Sequence, residues 1–173
     1  MDLPPMLKNN KTIFLDRDGV INKKRENDYV KNWSEFQFLP RVIDALKILT
    51  KNNFDLYIVT NQRGIARGLM SENDLAIIHE RMQRELATHG VVINGIYYCP
   101  HNQDDGCNCR KPKPGLLLRA AREHEINLKE AVFVGDSLSD LETGESSGCK
   151  TIILNSKKDL LEAVEKEILP MYL

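Results

Sequence analysis

Short apolar runs bounded by turn residues alternate with longer amphipathic segments along this chain. Ile13-Phe14-Leu15, Leu56-Tyr57-Ile58-Val59, Ile96-Tyr97-Tyr98, Ala131-Val132-Phe133-Val134 and Thr151-Ile152-Ile153-Leu154 are too short for helices. They read as strands of a buried sheet, the first ending at residue 16. Between them apolar residues recur at helical spacing. Val42, Ala45, Leu46 and Leu49 form one stripe, widened by Ile43 and Ile48; Pro40 suits its first turn and Asn52-Asn53 ends it. Leu75, Ile78, Met82 and Leu86 form another, opened by a Ser71/Asp74 capping box and closed by Gly90. Further helices are expected over 116–125, over 139–147 with Gly148 as the stop, and over 159–168 with Leu161, Val164 and Ile168 on one face. Strand–helix alternation of this kind predicts an α/β fold with a doubly wound, mostly parallel, Rossmann-like sheet.

Two segments stand apart. Residues 1–11, polar and proline-bearing, read as a frayed leader. Residues 17–39 form a long charged excursion, and loops of that length are usually functional. Its far end carries Trp33, Phe36, Phe38 and Leu39, which can pin it to the body. Neither 20–40 nor 61–110 leaves room for a cap domain once the elements are placed. A single capless domain over 1–173 is therefore expected.

The 173 residues suffice for one sizeable core, and 42% hydrophobic with 28% charged residues is ordinary for a globular protein. A net charge of −1 argues against wholesale nucleic-acid binding, which needs a basic excess. There is no 18-residue apolar run and no secretory h-region, so a cytoplasmic monomer without a membrane partner is expected.

Four cysteines fall at 99, 107, 109 and 149, three of them crowded beside His101. Cys99-x-His101-(x5)-Cys107-x-Cys109 offers four ligands, enough for closed, structural tetrahedral zinc in a loop over 99–109. Four protein ligands leave no open position for catalysis. Cys149 reads as a small core residue, and His79, His89 and His124 as surface or helix-terminal residues.

Candidate chemistry gathers where the strands end. The first strand delivers Asp16 and Asp18, the second Thr60 and Asn61, and the fourth Asp136 with Asp140 four residues on; Lys111 precedes a helix. Ligand sites in open α/β sheets lie outside the carboxyl ends of the strands. Clustered carboxylates repel one another and lose hydration unless a hard cation such as Mg²⁺ sits among them. If those strands are neighbours, the set suits phosphoryl transfer. Asp16 and Asp136 would hold Mg²⁺, while Thr60 and Lys111 would grip the phosphate oxygens. A carboxylate nucleophile would form an aspartyl-phosphate, with Asp18 protonating the leaving alkoxide and then activating water. Arg63, Arg67, Arg110 and Lys113 add positive charge that could hold a second anionic group. Taken singly, each strand-end aspartate could equally be structural. A different class of reading, a zinc-stabilised nucleic-acid binding module, would need a basic face and stacking aromatics, yet only 6% of residues are aromatic.

Asp16-Arg17-Asp18-Gly19, the strand-ending Thr60, Lys111 before a helix and Gly135-Asp136-(x3)-Asp140 resemble the four motifs of the haloacid dehalogenase superfamily. That resemblance implies Asp16 as nucleophile, Asp18 as acid/base and Thr60 and Lys111 as phosphate binders. It also implies Mg²⁺ held by Asp16, the Asp18 backbone carbonyl and Asp136, with Asp140 just outside the ligands. The second aspartate of the first motif marks phosphatases and phosphomutases within the superfamily. Over residues 12–155 the chain is most similar to the bacterial phosphatases of D-glycero-D-manno-heptose 1,7-bisphosphate, and next to the related histidinol-phosphatase domain. The pieces that carry this are residues 14–22, 60–68, 97–101 and 107–115; Gly64-Ile65-Ala66-Arg67-Gly68 favours the heptose branch. The resemblance implies removal of the 7-phosphate, with a small sugar bisphosphate as the only partner. Arg110, between the zinc ligand Cys109 and Lys111, is the expected grip on the distal phosphate. One departure is the five-residue loop between His101 and Cys107, shorter than the heptose enzymes lead one to expect.

Overall fold

A computed structural model of the chain describes residues 11–173; of the leader expected at 1–11, residues 1–10 lie outside them. Five parallel strands form one sheet: β1 (Thr12–Leu15), β2 (Asp55–Asn61), β3 (Gly95–Cys99), β4 (Val132–Gly135) and β5 (Lys150–Ile153). Their order is β3-β2-β1-β4-β5, which puts β1 at the centre between β2 and β4. The helices are α1 (Val42–Lys51), α2 (Glu72–Thr88), α3 (Gly115–His124) and α4 (Leu138–Ser147). The last helical stretch runs as α5 (Leu160–Ala163), a wider π turn (Val164–Ile168) and α6 (Leu169–Met171).

The strands are apolar on both sides because both sides are covered. Ile13, Leu15, Leu56, Ile58, Val132 and Val134 face one core with α1, the end of α2 and the C-terminal helical stretch. Their neighbours Phe14, Tyr57, Val59 and Phe133 face the other with Leu116, Leu117 and Ala120 of α3. This is the period-two alternation of a strand, with an apolar residue on each beat. Cys149 is buried in the second core. Two local expectations shift. Leu160 is the more deeply buried partner of Val164 and Ile168, and Leu161 is half-buried against the same core. His79 is buried, being four residues after Leu75 and so on the same stripe as Ile78 and Met82.

The excursion after β1 is anchored at both ends. Lys23 N–H donates to Gln37 O at 2.8 Å and Leu39 N–H to Ile21 O at 3.0 Å, closing its base. Trp33 stacks on Phe36 with centroids 4.9 Å apart, and Val30 is buried with Met70, Leu75 and Ile78. Only one 3-10 turn (Trp33–Glu35) lies within it, so no cap domain intervenes among the described residues. None of their helices is long and apolar enough to cross a membrane.

Candidate active site

The central position of β1 brings three strand ends together. Asp16 leaves β1 and Thr60 and Asn61 end β2 around a cleft of ≈ 210 Å³, and Asp136, which follows β4, lies beside it within reach of Asp16 and Asp140. The floor of the cleft holds Asp16, Lys111 and Asp140; Lys24, Asp28, Tyr29 and Arg110 stand on its walls.

Lys111 is 4% exposed and bridges two carboxylates, with Nζ 2.9 Å from Asp16 Oδ1 and 2.7 Å from Asp140 Oδ1. Asn61 fixes that lysine from behind: its Oδ1 accepts from Lys111 N–H and its Nδ2 donates to Lys111 O, both at 3.1 Å. Asn61 thus acts on the cleft through Lys111's backbone. Asp140 is fully buried, and its second oxygen accepts from Asp136 N–H at 3.0 Å. Thr60 is buried, and its hydroxyl accepts from Gln62 Nε2 at 2.9 Å. Asp18 accepts from Arg17 Nη2 at 3.0 and 3.2 Å, Asn22 Nδ2 at 2.9 Å and Gln62 Nε2 at 3.0 Å.

These contacts separate the carboxylates electrostatically. Burial pushes Asp16 up to about 8; Lys111 pulls it down, but Asp140 and Asp18 push with burial. Burial would also raise Asp18, yet Arg17, Asn22 and Gln62 outweigh it and hold that carboxyl below its usual range. Burial and Asp140 raise Asp136, against the pull of Lys24. Burial opposes the Lys111 charge, but Asp16 and Asp140 outweigh it and keep the ammonium protonated. One ammonium therefore serves two carboxylates, and the floor lacks positive charge.

The residues fit a hard divalent cation. Asp16, Asp136 and Asp140 offer oxygens within 4.8 Å of one another. Asp140 is already committed to Lys111 and the Asp136 amide, which leaves Asp16 and Asp136 as ligands. Asp136 Oδ1 is buried with no hydrogen-bond partner among the described residues. Gly19, at φ 92°, packs so closely on Asp136 that a Cβ there would overlap its carboxylate. That close approach brings the backbone of 18–19 to the same spot.

The second cluster is equally compact. Cys99 Sγ lies 3.4 Å from His101 Nδ1 and 3.7 Å from Cys107 Sγ, and His101 Nδ1 lies 3.3 Å from Cys109 Sγ. Two thiolates on one tetrahedral zinc at roughly 2.3 Å stand ~3.8 Å apart, so the spacing is compatible with zinc. Cys99 closes β3 in register with Asn61 of β2, which ties the cluster to the sheet. Of the four loop cations, Arg110 alone lines the cleft, its Nη1 donating to His101 O at 3.4 Å. Arg63 donates to Asn102, Arg67 lies over the Tyr29 ring and Lys113 donates to Cys107 O. The 24–30 segment and Arg110 line the mouth, and Gly64 and Arg67 pack against Tyr29 of that segment.

Several contacts escape sequence reasoning: Gln62 bridging Thr60 and Asp18, Lys24 Nζ 3.6 Å from Asp136, and the Arg17–His79 contact beneath Asp18. For His79 the helical stripe carried the signal. For Lys24 no signal exists, because its position depends on the path of the long excursion.

Comparison with known proteins points one way. The polynucleotide kinase 3 phosphatase family matches residues 11–160. A D-glycero-alpha-D-manno-heptose-1,7-bisphosphate 7-phosphatase of Mycobacterium bovis is 48% identical over 131 residues, covering 75% of this chain and 69% of that protein. The beta-anomer enzyme of Bordetella bronchiseptica is 41% identical over 155 residues, covering 88% and 86%. A crystal structure of D,D-heptose 1.7-bisphosphate phosphatase from B. bronchiseptica, complexed with magnesium and phosphate, superposes with a TM-score of 0.86 at 36% identity. It covers 92% of this chain and 99% of that one. With its sheet order, its strand-end aspartates and these matches, the chain belongs to the polynucleotide kinase 3 phosphatase family, within the haloacid dehalogenase superfamily.

Proposed function

We propose that this chain is a cytoplasmic, monomeric, Mg²⁺-dependent phosphatase that removes the 7-phosphate of D-glycero-D-manno-heptose 1,7-bisphosphate. The observation that carries the reading is the Asp16–Lys111–Asp140 floor beneath a cleft with Arg110 on its wall. The names of the similar enzymes supply the sugar.

Asp16 and Asp136, with the Asp18 carbonyl, would hold Mg²⁺, which neutralises carboxylate and phosphate charge so that the two can approach. Asp16 attacks phosphorus; the bond to the C7 oxygen breaks and its electron pair leaves with that oxygen. Phosphate charge entering the cleft raises the proton affinity of the Asp18 carboxyl, which is ionised in the free site, so that it carries the proton it gives the alkoxide, and an aspartyl-phosphate remains. Water then attacks that phosphorus, Asp18 takes its proton, and phosphate and Asp16 are restored. Lys111 and Thr60 hold the phosphate oxygens, which carry growing charge through both steps. Arg110 grips the 1-phosphate, which the enzyme keeps. Cys99, His101, Cys107 and Cys109 would hold zinc, which would serve as a structural clamp on Cys109 and so on Arg110 and Lys111.

The test is an initial-rate panel with Mg²⁺ present and after its removal by EDTA. It includes both anomers of the heptose bisphosphate, histidinol phosphate and p-nitrophenyl phosphate. The expected result is a preference for a heptose bisphosphate, release of heptose 1-phosphate, and loss of activity that Mg²⁺ restores. Preference for histidinol phosphate would overturn the substrate and leave the phosphatase chemistry; metal-independent turnover would overturn the chemistry.

A further inference from the structure

Arg17 lies between the two aspartates of the first motif and has no exposed surface. Burying a guanidinium is costly unless its donors are used well. Three features hold this one. Nη2 bridges both oxygens of Asp18 at 3.0 and 3.2 Å. The Phe36 ring lies 5.9 Å from Cζ. Nη1 lies 3.1 Å from His79 Nε2, on α2 and 62 residues away in sequence. Nε has no partner among the described residues, so the Nη1–His79 contact is what fixes the guanidinium plane at the end away from Asp18.

The direction of that bond is settled by chemistry. A guanidinium only donates, so His79 Nε2 accepts, and the imidazole is neutral with its proton on Nδ1. The surroundings agree: burial first, and Arg17 second, push His79 down to about 3. Asp18 is thus held from its own turn by Asn22, from the end of β2 by Gln62, and from α2 through Arg17. The chemistry proposed above uses the Asp18 carboxyl and gives His79 no part.

We infer that His79 is a positioning residue: by accepting from Arg17 it fixes the guanidinium that aims the Asp18 carboxyl at the leaving oxygen. This rests on Asp18 serving as the acid and base of the reaction.

Leaving groups separate this role from a purely structural one. An alkoxide such as the sugar C7 oxygen needs a proton as it departs; p-nitrophenolate does not. General acid catalysis is typically worth roughly 10²–10⁴-fold, and misaiming the acid should forfeit part of that. The experiment measures single-turnover phosphoenzyme formation from heptose 1,7-bisphosphate and from p-nitrophenyl phosphate, with Mg²⁺. It compares wild type, His79→Leu, His79→Gln and Asp18→Asn. In His79→Leu the sugar phosphate should slow about ten- to a hundredfold and the aryl phosphate less than about threefold. In His79→Gln, whose amide oxygen can accept from Arg17, the sugar phosphate should return to within about threefold of wild type. Equal slowing on both substrates, no slowing on the sugar phosphate, or no rescue by glutamine would each overturn the inference. If Asp18→Asn leaves the sugar phosphate rate intact, the acid/base reading of Asp18 falls and this inference with it. If Asp18→Asn is slow and His79→Leu is not, this inference alone falls. Should His79→Leu not fold, the same ratio is read in His79→Met, a flexible chain that fills irregular space. Failure of both to fold would make His79 a residue of the fold and overturn the inference.

Discussion

Asp16 Oδ1 accepts from the Arg17 N–H at 2.7 Å and meets Lys111 Nζ at 2.9 Å. Replacing this carboxylate with an amide would remove the proposed nucleophile and one proposed anionic ligand together, while Lys111 keeps Asp140. Asp16→Asn should therefore lower turnover at least about a thousandfold. The fold should survive with an unchanged or raised melting temperature, because burial, Asp140 and Asp18 oppose ionisation of this carboxyl and an amide does not ionise. Initial rates and a thermal melt check both; retention of more than about a few per cent of the activity would remove Asp16 from the nucleophile's place. At this scale the sequence was readable where a residue's neighbours in the chain decide its place. Asp16 and Asp136 follow strands, so their position at the strand ends could be foreseen. Arg17, Gln62 and Lys24 act through contacts across the fold, and single-chain spacing carries no trace of those.

The loop from Cys99 to Lys111 is the element that joins the two clusters. Its first ligand closes β3, its last lies two residues before the lysine on the cleft floor. Structural zinc in small motifs is worth roughly 10–16 kcal/mol of binding free energy, part of which folds the loop. Cys107→Ser should therefore lower the melting temperature, drop bound zinc from about one per chain, and reduce kcat by loosening Lys111. Unchanged stability and full activity in a zinc-free Cys107→Ser protein would defeat the structural reading. Arg110 sits on the same loop with its guanidinium at the cleft. Charge-assisted hydrogen bonds are worth about 1.5–3 kcal/mol, so Arg110→Ala should cost the heptose bisphosphate about ten- to a hundredfold in kcat/KM. It should barely alter p-nitrophenyl phosphate. Equal losses on the two would assign Arg110 to the core chemistry or the fold. Strands and helices were legible because their apolar period is local. The loop's ligand spacing was legible too, but its closure over Arg110 and the exact turn of the last helix were not. Those depend on packing between elements far apart in the chain.

For the whole molecule, stability and pH are linked through His79. Its pKa is near 3 in the folded protein and 6.5 in the unfolded chain. Between those values the unfolded chain binds a proton that the folded one refuses, so this group makes stability fall as pH is lowered from 6.5 towards 3. Each unit in that window costs about 1.4 kcal/mol. Melting curves from pH 7 to pH 4 should show wild type losing more than His79→Gln, with the two converging at neutral pH in slope. Parallel curves would refute the linkage. Alternation with right-handed crossovers points to a doubly wound parallel sheet, so the architecture could be foreseen, while the strand order and the walls of the cleft could not. The loop that carries the cysteine–histidine cluster has a further consequence for how this protein can diversify. All four ligands lie on the near side of an exposed tip, 103–106, where Gly106 turns the chain at φ 69°. Chain added at that tip is insulated from the floor by the ligand cage, so new substrate contacts can be tried without disturbing the phosphate-transfer step. Inserting four Gly/Ser residues between Asp104 and Asp105 should leave p-nitrophenyl phosphate turnover within about threefold and change only the handling of the sugar, since lengthening a flexible loop costs little. A collapse of aryl phosphate turnover would show that the tip and the chemistry are not separable.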